Sequence, residues 1–257
     1  MSVETEGATT GAAEPAGDVK RLSRMRQLIA SRMTESLRST AQLTAVQEVD
    51  VTDIADLRTG AKEQFRARHG LSLTFLPFFA RALVEASQQF PQFNATILEE
   101  GKQVRYHDSV HLGVAVDTPR GLIVPVIRNA ENLSVVELSL AIGDLAQRVR
   151  TNQIGPDELT GSTITLSNIG AAGTLTDTPI LNYPEVAILG TGAVVRRPRV
   201  VVDQQGVESV AIRSVASLPL TYDHRLVDGA DAGRFLTAIR QRLELADFSA
   251  DLSEYSA

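Results

Sequence analysis

The residues best suited to chemistry lie in the segment Asp223-His-Arg-Leu-Val-Asp-Gly229. A β-rich run leads into this segment and an amphipathic run follows it, so His224 falls at a strand-to-helix junction, where side chains face clefts. An imidazole titrates near neutrality and can take a proton from a thiol. Gly229 allows the sharp bend that such a junction needs. His224 is therefore a candidate general base, and the plainer interpretation is a surface histidine paired with its acidic neighbours.

The spacing of apolar residues predicts the elements that would position this segment. Thr52 or Asp53 is the expected cap of the second helix, and Ser134 with Glu137 matches a capping box. Early helices followed by long strands favour one α/β domain with a mixed sheet. Helices are expected over 22–37, 52–68, 73–90, 134–151 and 230–246, and strands over 43–51, 110–116, 122–127, 163–166, 186–189, 194–202 and 209–222.

Composition excludes several kinds of function. The 257-residue chain has no cysteine, so an acyl-cysteine intermediate is excluded and any acyl transfer must be direct or use an oxygen nucleophile. The formal net charge of −6 argues against nucleic acid as the main partner. No apolar run approaches the ~20 residues that cross a bilayer. Residues 1–18 are small and polar, which is typical of a flexible linker and not of a signal peptide. We expect a cytoplasmic protein without a membrane partner.

The segment at 223–229 resembles the DHRxxDG signature of the dihydrolipoyl acyltransferases of 2-oxoacid dehydrogenase complexes, which are related to chloramphenicol acetyltransferase. Further blocks agree in order and spacing: LSRMRQLIASRM at 22–33, LGVAVDTPRGLIVPVIR at 112–128, TITLSNIG at 163–170 and PEVAILG at 184–190. The resemblance runs from about residue 19 to about residue 246. It implies a two-layer α/β sandwich like that of chloramphenicol acetyltransferase, with residues 19–257 as the catalytic domain.

The same resemblance implies a role for each matching residue. His224 corresponds to the base that deprotonates the attacking thiol, and Ser167 to the serine whose hydroxyl donates a hydrogen bond to the oxyanion. Asp228 corresponds to the acid that holds the loop by charge pairing, and Arg38 is the candidate partner of that acid. The implied reaction is direct exchange of an acyl group between a dihydrolipoyl arm and coenzyme A. Acetyl transfer in a pyruvate dehydrogenase complex is expected first. Succinyl or branched-chain transfer, or a catalytically silent scaffold, are the alternatives.

The resemblance also implies partners. Family members form trimers in which the two thiol substrates enter a channel between subunits from opposite ends, and they work with a 2-oxoacid decarboxylase and dihydrolipoamide dehydrogenase. None of Lys20, Lys62 and Lys102 lies in a hairpin tip suited to lipoyl attachment, so the lipoyl domain is expected from sequence upstream. The last residues, from Ala246 to Ala257, carry three bulky side chains (Phe248, Leu252 and Tyr255) among three acids and three serines. Such a segment is poorly suited to insert into a neighbouring trimer, because its acids would have to be desolvated. We therefore expect an isolated trimer.

A metal site is the first competing interpretation. His107 and His111 are four residues apart in a stretch that looks extended, which separates them by about 13 Å, too far to share an ion. Asp228 and Asp231 near His224 could suggest a metal site, but the family signature explains them better. We predict no metal.

Other patterns are weaker. Ser167 lies outside a G-x-S-x-G elbow, which disfavours a serine hydrolase. Gly190-Thr-Gly192 lacks the third glycine of a dinucleotide loop and is expected to serve packing. His69 precedes Gly70 and is expected to cap a helix.

Overall fold

The computed structural model describes residues 17–255, so that nearly all of the predicted linker lies outside the described residues. Within that range no helix is long and apolar enough to cross a membrane. The helices are α1 (Arg24–Ser39), α2 (Thr52–His69), α3 (Leu76–Gln89), α4 (Val135–Arg150), α5 (Gly229–Leu245) and α6 (Ser249–Leu252). The strands are β1 (Gln42–Asp50), β2 (Ala95–Leu98), β3 (Gln103–Tyr106), β4 (Leu112–Ala115), β5 (Val126–Ile127), β6 (Ile164–Asn168), β7 (Ala187–Thr191), β8 (Val195–Val202) and β9 (Glu208–Asp223).

Seven strands form one mixed sheet in the order β1-β9-β7-β6-β4-β5, with β8 also paired to β9. The pairs β4–β6 and β6–β7 are parallel, and the other pairs of this sheet are antiparallel. The mixed sheet predicted from the sequence is therefore confirmed. Its long central strand, β9, pairs with β1, β7 and β8 and carries the chain directly to the candidate base.

The core lies between this sheet and helices α2 to α5. Helix α3 buries most of its length because its residues are apolar on nearly every side, and α5 contributes Phe235, which stacks on Phe93 with ring centroids 3.9 Å apart. Each such aromatic side chain contributes on the order of 1.5–3 kcal/mol by leaving water. This packing fixes α5, and therefore the turn that precedes it.

Local signals account for several element ends. Ser134 and the Glu137 side chain cap α4 reciprocally, as the sequence predicts. The prediction for α2 is wrong by one position, because Val51 is the N-cap residue and makes no side-chain cap. Instead the Asp50 carboxylate accepts hydrogen bonds from the Thr52 backbone N–H (2.9 Å) and hydroxyl (2.6 Å).

The end of α2 also differs from the prediction. Gly70 is the C-cap, in a left-handed conformation, and His69 is the last helical residue. The His69 ring does not cap the helix but bonds the Tyr255 hydroxyl through Nε2 at 2.8 Å.

Strands β8 and β9 form a long hairpin beyond the packed sheet, here called the hairpin arm (Val195–Val202 with residues 208–215). On one side, Arg197 and Arg199 pair with Glu48 of β1. The opposite side exposes Pro198, Val200, Val202, Val210 and Ile212, which the register places in adjacent positions. The arm therefore presents an apolar face that nothing else in residues 17–255 covers.

The three bulky side chains near the C-terminus fold back onto the same chain. Phe248, Leu252 and Tyr255 are all buried. Phe248 lies edge-on to Phe78 at 5.2 Å and beneath the Arg242 guanidinium at 3.9 Å. These side chains are thus engaged within the domain.

Candidate active site

His224 occupies the turn between β9 and α5. Its backbone N–H donates to the carbonyl of Ala41 (2.8 Å), at the junction of α1 and β1. The side chain is 41% exposed, and its ring lies edge-on to Tyr222 with centroids 5.9 Å apart. Nδ1 faces the Asp228 carboxylate at 3.8 Å, which leaves Nε2 directed elsewhere. The imidazole is therefore accessible while its backbone is tied to the sheet.

Asp228 stands at the N-cap position of α5 but makes no capping bond, and its side chain is 83% exposed. The predicted pairing with Arg38 is not formed within the chain. Arg38 lies in the last turn of α1 and is exposed, and no ion pair between it and a carboxylate is found among residues 17–255. The ion-pair contact of Asp228 in the structure is with His224, because the turn brings both to the start of the same helix.

Asp223 and Arg225 flank the candidate base and were given no role by the sequence. The Asp223 carboxylate is 1% exposed and accepts hydrogen bonds from Arg225 Nε (3.0 and 3.1 Å) and Nη2 (2.6 Å). These hydrogen bonds raise the pKa of the Arg225 guanidinium, which stays charged. An acid two residues before an arginine, at the end of an apolar strand, is the signal that could have indicated this buried pair.

Ser167 is the penultimate residue of β6, between Ala115 of β4 and Gly190 of β7. Its hydroxyl makes no hydrogen bond with another group in residues 17–255, so it is free to donate. The loop after it is tightly packed. A Cβ on Gly170 would lie 2.4 Å from the Ala193 backbone nitrogen. A cavity of about 310 Å³ adjoins this loop, and its lining includes Asn168 and Gly170 together with Phe75, Leu76 and Phe79.

The glycines at 190 and 192 serve packing, as predicted. A Cβ on Gly190 would lie 2.7 Å from Pro219, and one on Gly192 would lie 2.0 Å from the Leu175 carbonyl oxygen. Both positions bring β7 and the chain after it close to its neighbours, which keeps the end of β6 in place.

His224 and Ser167 lie at opposite ends of the sheet. Ser167 pairs with Gly190, which packs against Pro219 of β9, so the serine is two strands across from β9 and level with Pro219. Five residues of extended chain separate Pro219 from His224, about 16 Å along the strand, and two strand spacings add about 10 Å across. The two residues are therefore about 19 Å apart in one chain. A base and an oxyanion donor must both lie about 3 Å from the reacting group, so His224 and Ser167 of the same chain are too far apart to fill these two roles together.

A second, larger cavity of about 810 Å³ is lined by His107, His111 and Glu185 among others. Burial lowers the pKa of both histidines. Their nitrogens have separate partners: His107 Nε2 bonds the Thr96 hydroxyl at 2.9 Å, and His111 Nδ1 accepts from the Asn129 N–H at 3.2 Å. Within residues 17–255 no group of three potential metal ligands occurs.

Glu185 is a buried carboxyl that sequence reasoning missed. Burial raises its pKa to about 7, against hydrogen bonds from Ser162 and Asn182 that favour the charged form. It lies at the start of β7, next to Val186, whose carbonyl accepts from the Asp223 N–H at 2.9 Å. An isolated glutamate in the run PEVAILG gives no hint of this burial.

The sequence model of the family described as 2-oxoacid dehydrogenases acyltransferase (catalytic domain) matches residues 14–249. The chain belongs to this family. It is 55% identical, over 236 residues, to the dihydrolipoyllysine-residue acetyltransferase component of the pyruvate dehydrogenase complex of Mycobacterium tuberculosis, covering 92% of the chain and 43% of that relative. The chain thus spans less than half the length of this relative.

Solved structures of the family share the fold. A dihydrolipoamide acetyltransferase of Azotobacter vinelandii, studied for the roles of a serine, a histidine and an asparagine in catalysis, superposes with a TM-score of 0.83 at 31% identity, covering 93% of this chain and 98% of that one. The cubic core of a pyruvate dehydrogenase multienzyme complex gives 0.84 at 31% identity, covering 96% and 99%. The fold predicted from the sequence is confirmed.

Proposed function

We propose that this chain is the catalytic domain of an acyltransferase that moves an acetyl group between a dihydrolipoyl arm and coenzyme A in a pyruvate dehydrogenase complex. The observation that carries the proposal is the accessible imidazole of His224, held by its backbone at the end of β9 within the family signature. The acetyltransferase named among the relatives supports the choice of acyl group. In the Azotobacter vinelandii enzyme the histidine and asparagine under study are four residues apart, the spacing of His224 and Asp228.

The chemistry follows from two groups. His224 takes the proton of the attacking thiol, and the sulfur adds to the thioester carbonyl carbon, whose oxygen becomes an oxyanion bonded by the Ser167 hydroxyl. The tetrahedral intermediate collapses, the original carbon–sulfur bond breaks, and the leaving sulfur takes the proton back from the imidazolium. The base contributes on the order of 10²–10⁴-fold. The oxyanion donor contributes on the order of 10²–10³-fold. The chain has no cysteine that could hold the acyl group as a thioester, and in this mechanism the acyl group passes directly from sulfur to sulfur without an oxygen nucleophile.

The site needs a second copy of the chain. Since His224 and Ser167 lie about 19 Å apart in one subunit, the serine opposite each histidine must come from a neighbour. Such a contact joins different surfaces of the two copies, and contacts of that kind close into rings. The trimer expected from the sequence is such a ring, with one site at each interface and one thiol substrate entering from each side.

Two exposed apolar surfaces suit this interface. One is the uncovered face of the hairpin arm, and the other is formed by Leu22, Met25 and Leu28 on or beside α1. Contiguous apolar patches of this kind on a soluble protein mark contact surfaces. In its described part, up to Tyr255, the polar C-terminal segment offers no comparable surface, because Phe248 and Tyr255 pack within their own domain. We therefore propose an isolated trimer in place of a cubic shell. Light scattering that finds a particle of many trimers contradicts this.

Acyl specificity and partners extend the proposal. Free dihydrolipoamide should be acylated faster by acetyl-CoA than by succinyl- or isobutyryl-CoA, and a preference for either of the others assigns the chain to the alternative class. A lipoyl domain, a 2-oxoacid decarboxylase and dihydrolipoamide dehydrogenase are the proposed partners. The cytoplasmic location stays a prediction.

The decisive experiment compares histidine variants. His224→Ala should lose transfer by about 10²–10⁴-fold while keeping the fold. His107→Gln, which can keep the bond to Thr96 in the other cavity, is the matched control and should retain full turnover. Near-parental turnover of His224→Ala contradicts the proposed mechanism. A parent chain that assembles but transfers none of the three acyl groups favours the scaffold alternative.

A further inference from the structure

The Asp223–Arg225 pair surrounds the backbone of His224. Besides the guanidinium, the Asp223 carboxylate accepts the backbone N–H groups of Ala41 (3.3 Å) and Arg225 (3.1 Å) through Oδ1. The His224 N–H in turn donates to the Ala41 carbonyl (2.8 Å). One buried carboxylate therefore ties the turn both to the α1–β1 junction and to the residue after the base.

The imidazole itself is weakly held. Its contacts are the edge of the Tyr222 ring and a 3.8 Å approach to an exposed carboxylate. With the side chain partly free, its position depends mainly on where the backbone places Cα and Cβ. A displacement of about 1 Å at a catalytic group can cost on the order of 10²-fold in rate.

We propose that Asp223 and Arg225 are positioning residues that fix the backbone of His224 for proton transfer, a role that rests on the proposed function of His224 as the base. The pair suits this role because the carboxylate is out of water and the guanidinium meets both its oxygens, a planar geometry that lysine cannot reproduce. Within residues 17–255 neither the Asp223 carboxylate nor the Arg225 guanidinium makes a hydrogen bond or ion pair with the His224 ring, so the pair acts through the backbone and not on the ring.

The test uses Asp223→Asn and Arg225→Lys in the assembled protein, with Asp231→Asn as control. Asp231 is an acid in the first turn of α5 that pairs with Arg234, and within residues 17–255 no hydrogen bond or ion pair joins its side chain to the residues of the His224 turn. Asp223→Asn and Arg225→Lys should each lower kcat by about 10–10²-fold. Because substrate contacts are unchanged, KM for acetyl-CoA should stay within about threefold. The midpoint of the kcat–pH profile should not move, since the base is the same group. The control should match the parent.

Three outcomes overturn the proposal. The first is turnover within about twofold of the parent in both Asp223→Asn and Arg225→Lys. The second is a shifted pH midpoint with an unchanged plateau, which indicates an electrostatic effect on the ring. The third is loss of folding in both variants, by circular dichroism, which indicates that the pair stabilises the domain as a whole. The His224→Ala variant distinguishes failure of the positioning proposal from failure of the proposed function. If His224→Ala remains active, His224 is not the base and the proposed function itself is wrong.

Discussion

Mixing two inactive variants tests the shared site directly. Oligomers of His224→Ala lack the base, and oligomers of Ser167→Ala lack the oxyanion donor. In a mixed oligomer, a subunit with an intact histidine can adjoin a subunit with an intact serine. For random equimolar assembly each condition holds half the time, so about one interface in four is complete in a ring of identical contacts.

The expected recovery is large compared with either variant alone. A three-membered ring that contains both variants has one complete interface in three, so purified mixed oligomers should regain about a third of parental turnover, while Ser167→Ala alone retains only about 10⁻²–10⁻³ of it. Co-expression with two affinity tags, followed by tandem purification, yields oligomers that contain both subunits. Transfer from acetyl-CoA to dihydrolipoamide is then followed by thioester absorbance.

The matched control mixes His224→Ala subunits with subunits of the double variant His224→Ala, Ser167→Ala. No interface in this mixture contains His224, so it should recover no transfer activity. If doubly tagged oligomers of the first mixture also recover nothing, the base and the serine act within one chain. The separation of about 19 Å deduced from the strand register would then be wrong.

Three further changes follow from the structure. Glu185 is protonated more readily in the folded chain (pKa about 7) than in the unfolded chain, where a value of 4.5 applies. The folded state therefore binds the extra proton, and stability should fall as pH rises from about 4.5 to about 7, by on the order of 3 kcal/mol. Glu185→Gln should remove that loss, so its gain over the parent in urea unfolding should be larger at pH 7.5 than at pH 5; an equal difference at both pH values contradicts the raised pKa. Gly170→Ala should push the serine loop off the Ala193 backbone and lower kcat by up to about 10²-fold. Gly233→Ala, in open space on α5, is its control and should leave kcat unchanged; equal kcat in both variants refutes the packing argument. Ser134→Ala removes half of the α4 capping box and should cost about 1 kcal/mol of unfolding free energy, measured by denaturant titration, without affecting transfer.

Local signals predicted the elements, and long-range pairing decided the rest. The Ser134 capping box and the strands at 194–202 and 209–222 are encoded within a few residues, so the sequence revealed them. Strand β5 is only two residues long, and the small hairpin of β2 and β3 was missed although its strands are close in sequence, because four-residue strands carry too short a pattern to read.

In the candidate site, too, the local features could be predicted from the sequence and the long-range ones could not. His224, Asp228 and Ser167 could be named from motifs, since each motif is contiguous. The large distance between the histidine and the serine could not be predicted from the motifs, because it depends on the strand order β9-β7-β6. The pairing of Arg38 with Asp228 was wrong within the chain for the same reason: it joins two segments whose relative placement only the folded sheet defines.

The distribution of the two reactive groups at opposite sheet ends has a consequence for the isolated polypeptide. If the proposed site is shared between subunits, a newly made subunit has the folded domain but no competent centre, so it cannot wastefully cleave the thioesters around it before it meets its neighbours. Specific activity should accordingly decline on dilution, in step with dissociation, and return on concentration. In this view catalytic activity is present only in assembled subunits.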